Sequence, residues 1–142
     1  LSYLVYDAET GKILRTLTGA ANLQEMAAQS QAPNEIILEG DFDDRLFHVV
    51  EHVAVPRPRV SIPDDKTITG DDVDSFLIGN VPAGTEVAIR NFGVERTDPA
   101  YLATFTVDDG AFEWSSTRAG LYSFLVAPPF PWQRETFEVV VQ

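Results

Sequence analysis

Between Thr117 and Val141 the chain reads TRAGLYSFLVAPPFPWQRETFEVVV, with large apolar residues at every second position on either side of a proline-rich centre. A strand turns successive side chains to opposite faces, so a period of two specifies β-structure. Gly120–Ala127 is expected to place Tyr122, Phe124 and Val126 on one face. Glu135–Val141 is expected to place Phe137, Val139 and Val141 on one face and Glu138 and Val140 on the other. Pro128-Pro129-Phe130-Pro131-Trp132 joins them as a turn. These two strands require a sheet, and a sheet with one apolar face requires a second layer to bury it.

The preceding residues supply more short strands between turn signals. Ser75–Ile78 has Phe76 and Ile78 on one face. Thr85–Arg90 has Val87 and Ile89 inward and Glu86 and Arg90 outward. Tyr101–Val107 carries Tyr101, Ala103, Phe105 and Val107 together, and Asp108-Asp109-Gly110 predicts a hairpin turn into Ala111–Ser115. Val60–Ile62 and Lys66–Thr69 are expected to be short strands. About seven strands without a helix in one small region is the pattern of an immunoglobulin-like β-sandwich. Tyr122 then stands where such sandwiches place a corner tyrosine, whose hydroxyl bonds back to the backbone. Phe124 fills the position of the second cysteine.

The first part differs. Ser2–Asp7 and Lys12–Thr18 read as a hairpin closed at Gly11. Asn22 and Glu25 have the capping-box spacing, which predicts a helix over Ala20–Ser30. Glu35–Glu39, Leu46–Val50 and Val53–Val55 read as strands, with Glu51-His52 as a tight turn. Proline fixes φ and extends the residue before it, so Pro56–Arg59 reads as a stiff linker. The expected fold is therefore mainly β. A small N-terminal β-β-α-β-β unit spans 1–55, a proline-rich linker 56–59, and an immunoglobulin-like β-sandwich 60–142.

Composition restricts the function. The 142 residues contain no cysteine, which removes disulfides, thiol nucleophiles and thiolate metal sites. The formal net charge is −12, divided equally between residues 1–55 and 56–142. Phosphate contacts need clustered Lys and Arg, so no nucleic acid is expected as a partner. No apolar run reaches the roughly 20 residues of a membrane helix, so no membrane insertion is expected. No signal peptide is visible. The start at Leu1 predicts that residues upstream were removed or lie outside this numbering.

Catalytic patterns are weak. His48 and His52 have a two-histidine spacing, but on a strand they would lie about 13 Å apart at about 3.3 Å per residue. Asp71, Asp72 and Asp74 are the best of the acidic clusters for calcium, yet Asp is also a preferred turn residue. No nucleophile elbow and no phosphate loop is present. Neither an enzyme nor a cofactor is expected.

Two places suggest partners. The first-part strands are apolar on both faces: Tyr3 and Val5 oppose Leu4 and Tyr6, and Phe47 and Val49 oppose Leu46 and Val50. One helix covers one face, the other must be covered by the sandwich or by another chain, and units this small commonly need staples or oligomerisation. Tyr3, Tyr6, Phe47 and Val49 are therefore candidate contacts. In the second part Phe130 and Trp132 either cap the core, meet another protein or form a sugar platform; capping fits best.

The chain also resembles virion accessory proteins of tailed bacteriophages, of the tail-fibre or tail-tip kind. The resemblance is carried by Asp7-x-x-Thr10-Gly11-x-Ile13 and by Glu39-Gly40-Asp41-x-Asp43-Asp44-Arg45-x-x-His48-Val49-Val50 leading to Val55-x-Arg57-Pro58. In the second part it rests on Pro82-Ala83-Gly84-Thr85, Val107-Asp108-Asp109-Gly110 and Phe130-Pro131-Trp132. It implies a non-enzymatic structural role in many copies, made in the host cytoplasm and located in the virion. Its partners would be other virion proteins or further copies of the chain as a homo-oligomer. A carbohydrate- or surface-binding module, with a cell-surface glycan as ligand, and a capsid decoration protein are the alternatives.

Overall fold

A computed structural model describes residues 2–18 and 33–142, which are mainly β. The chain divides into two compact units, Leu1–Pro58 and Arg59–Gln142. The division falls inside the expected linker.

In the first unit β1 (Ser2–Asp7) is the centre of a three-stranded antiparallel sheet. It lies between β2 (Ile13–Thr18) and β3 (Glu35–Glu39). A separate hairpin pairs β4 (Phe47–Val50) with β5 (Val53–Pro56). Its turn is Glu51-His52, both at positive φ (50° and 61°), the backbone of a tight two-residue hairpin loop. Leu4, Tyr6, Ile13 and Val49 form the core, with Leu38, Phe42 and Phe47 packed against it. The Phe42 and Phe47 rings meet edge-on at 5.1 Å. Gly11, at φ 79°, accepts a hydrogen bond from the Val49 amide at 2.8 Å. The β1–β2 turn is thereby tied to β4.

Two expectations change here. The described residues of this unit form five strands and no helix, so they do not support a β-β-α-β-β unit. The expected helix, Ala20–Ser30, lies outside the described residues. The apolar faces of β1 do not wait for another chain. Leu4 and Val5 are 0% exposed and lie on opposite faces, so this chain covers both.

In the second unit one sheet has the order β6 (Thr67–Ile68), β12 (Glu135–Val141), β11 (Gly120–Ala127), β8 (Thr85–Asn91), β9 (Leu102–Val107). All its pairings are antiparallel except β6 with β12. A second sheet pairs β7 (Phe76–Ile78) with β10 (Phe112–Trp114). The two sheets share one core, to which they contribute Phe76, Ile78 and Phe112 on one side and Val87, Phe124 and Val139 on the other. Phe124 is fully buried and touches the rings of Phe76, Trp114 and Phe137 at 5.2–5.6 Å. The alternation read from the sequence holds: Tyr122, Phe124 and Val126 are buried, whereas Leu121, on the opposite face of the strand, is exposed.

Asp108-Asp109-Gly110 reverses the chain as expected but does not make a hairpin. β9 pairs with β8, and β10 pairs with β7 in the other sheet. A turn motif specifies how the backbone bends and not which strand receives it. Phe105 and Phe112 flank the crossover with their rings 5.3 Å apart. Val60–Ile62 forms no strand, although Val60 is buried in the core.

Candidate functional site

Tyr122 leaves the core with its ring against Trp114, at 4.8 Å, and its hydroxyl at the margin of the sheet. That hydroxyl donates to the Arg118 carbonyl at 2.8 Å and meets the Ser116 hydroxyl at 3.0 Å. The Asn91 amide nitrogen donates to it at 3.5 Å. Ile89, Ala100 and Ala103 complete the recess around this group. Its polar atoms are already spent on one another, which suits a structural corner better than a reaction centre.

A second concavity lies between the first residues of this unit and β12, lined by Arg59, Ile62, Asp64, Lys66, Glu135 and Phe137. Arg59 forks onto Glu135, with Nε to Oε1 at 2.7 Å and Nη2 to Oε2 at 2.9 Å. A third, of about 300 Å³, is a dish on the outer surface of the five-stranded sheet. Ala88, Thr104, Thr106 and Leu125 floor it, and Glu86 and Arg134 stand at its rim.

Asp43 and Asp71 are shifted by local hydrogen bonds within turns. Asp43 is held down to about 2 by hydrogen bonds from the Arg45 side chain and backbone. Asp71 is lowered by the backbone amides of Asp74 and Val73. A general acid near neutral pH needs the opposite shift. Burial, with a smaller push from Arg57, lowers His48. The Asp71 carboxylate accepts from the Val73 and Asp74 amides at 3.0 and 2.8 Å, Asp74 accepts from Thr69, and Asp72 from the Ser115 hydroxyl. This is turn chemistry. His52 Nδ1 bonds the Tyr6 hydroxyl at 2.7 Å. Among the described residues no group of three or more His, Asp or Glu side chains is placed to hold a metal ion.

The expected partner contacts separate. Tyr3, Tyr6 and Val49 are 3%, 5% and 5% exposed and form interior, which corrects their assignment as surface contacts. The alternation was read rightly, but both faces of β1 are covered. Phe47 is partly buried against the same core. Trp132 is partly buried against the core of the second unit, the capping role, and Phe130 is half-buried beside it. Opposite them on the hairpin, Leu46, Val50 and Val53 stay outside, at 46%, 47% and 58% exposure, as do Leu14 and Ile36 among the described residues of this unit. Val50 and Val53 are direct cross-strand partners, so they share a face.

The strand read from the sequence as Tyr101–Val107 has an exposed edge that the sequence reading did not identify. β9 is the last strand of its sheet, and no described strand pairs with its outer edge. Its sequence LATFTV contains no charge, proline or glycine, the only signal that could have singled it out. No protein-family model and no curated protein matches this chain.

Proposed function

We propose that this chain is a non-enzymatic structural component of a tailed-bacteriophage virion, a tail-fibre or tail-tip accessory, whose second unit is an immunoglobulin-like sandwich. The sandwich reading is supported by two sheets on a shared core, by Trp114 against Tyr122 and Phe124, and by the Tyr122 hydroxyl bonded back to Arg118. One observation carries the assembly role. The β4–β5 hairpin buries one face on its own unit and presents the other, with Leu46, Val50 and Val53, to solvent. Val50 and Val53 adjoin across the hairpin, and contiguous exposed apolar surface is the kind that marks a protein contact.

The virion resemblance supplies the setting. The platform reading of Trp132 has less support, because its ring packs on the core.

Mass spectrometry of purified particles from the source of the sequence tests the proposal. The chain is expected there in multiple copies per particle. Its absence from particles, with abundant free chain in the lysate, would sink the virion role.

A further inference from the structure

We propose that the outer edge of β9 is a self-association site, at which the same strand of a second copy adds antiparallel about a twofold axis through Thr104. The surface lies outside the β4–β5 face, and the proposal stands independently of the virion reading.

The two ends of the five-stranded sheet are unlike. β6 offers only Thr67 and Ile68, next to Asp65 and Lys66. A very short strand flanked by charge is a protected edge. β9 offers six residues with no charge, proline or glycine among them, and no described strand covers its outer edge. Unpaired amides and carbonyls along such an edge are a template for another strand.

Phe105 shows what is missing. It lies opposite Val87, which is 1% exposed, and so points to the interlayer face. Phe105 itself is 40% exposed, because β9 ends the layer. One more strand would cover it.

The occupant follows from the strand's own pattern. A twofold perpendicular to the sheet keeps each side chain on its face, so the pairing must centre on a residue. Centred on Thr104, it sets Leu102 against Thr106 and Ala103 against Phe105, small against large in both copies. Threonines pair across the axis, a favourable cross-strand pair, and no like charges oppose within the strand. Beyond it, Asp108 of one copy approaches the Asp98 end of the other. The pairing should therefore strengthen as salt screens those ends.

Sedimentation equilibrium of the full chain tests this. The wild type is expected to form a dimer of the 15.7 kDa chain, with tighter association at higher salt. Thr104→Lys sets two ammonium groups across the axis at an exposed position and should return the monomer with its melting temperature retained. Thr136→Lys makes the same charge change on exposed β12, away from the edge, and should leave the dimer intact. A wild type that stays monomeric at high concentration and salt overturns the proposal. So does a dimer that survives Thr104→Lys, or one that both substitutions weaken equally. Binding only of unrelated strand peptides would assign the edge to a foreign partner and overturn the self-pairing.

Discussion

Arg59 and Glu135 stand 76 positions apart and meet through two parallel hydrogen bonds of 2.7 and 2.9 Å. The guanidinium is largely solvated and the carboxylate is largely buried. The contact fastens the first residue of the second unit to the first residue of β12. Arg59→Ala removes the two-pronged hydrogen bond onto the largely buried Glu135 carboxylate, and solvent partly replaces it. We expect a loss of about 1 kcal/mol, read by denaturant unfolding of the second unit. Glu135→Gln should cost no more than that. An unchanged midpoint for Arg59→Ala would make the fork incidental.

Tyr122→Phe keeps the ring against Trp114 and deletes only the hydroxyl. The Arg118 carbonyl, Ser116 and Asn91 then lose their common partner. The expected loss is about 1–2 kcal/mol in the second unit. Hydrogen exchange of the Arg118–Tyr122 segment should rise, while that of the first unit should not. Unchanged exchange in that segment would contradict the role of the hydroxyl.

Gly11→Ala should damage the first unit selectively. The backbone there is at φ 79°, and an added Cβ would run into the Val49 carbonyl oxygen. Backbone does not yield as a flexible side chain does. A loss of about 3 kcal/mol is expected, enough to unfold a unit of this size. Exchange-mass spectrometry should show β1, β2 and β4 unprotected and β11 still protected. Full protection of β4 would refute the tie.

Acid should weaken the first unit in two steps. His48 has a folded pKa below its ordinary value of 6.5. The unfolded chain takes up that proton first, so stability falls as pH drops through 6.5 towards the folded value. Asp43 has a folded pKa of about 2 against an ordinary 3.8. Its contribution is present above 3.8 and is lost as pH falls through about 2. His48→Gln should flatten the first step and Asp43→Asn the second, in thermal melts followed against pH. A first step that persists in His48→Gln would assign it to another group.

Strand positions were legible wherever one face is buried. Gly120–Ala127 and Glu135–Val141 were read with their observed limits because Phe124 and Val139 alternate with solvated neighbours. Pro56, read as the start of a linker, belongs instead to β5, and the Arg57 amide donates to the Leu46 carbonyl. Partnership was not legible. Asp108-Gly110 announces a turn, but whether β10 joins β9 or β7 depends on which sheet needs Phe112. The same limit misassigned Tyr3, Tyr6 and Val49. Their alternation is local, whereas Val49, which packs with Tyr6, comes from a distant strand. It also hid β9, since being last in a sheet is a property of the whole topology.

The assembly claim rests on the outer face of the β4–β5 hairpin, and cryo-electron microscopy of purified particles reaches it most directly. The expected result is repeated density for the chain, with Leu46, Val50 and Val53 against a neighbouring virion protein. Density in which that face looks into solvent, or particles without the chain, would contradict the account.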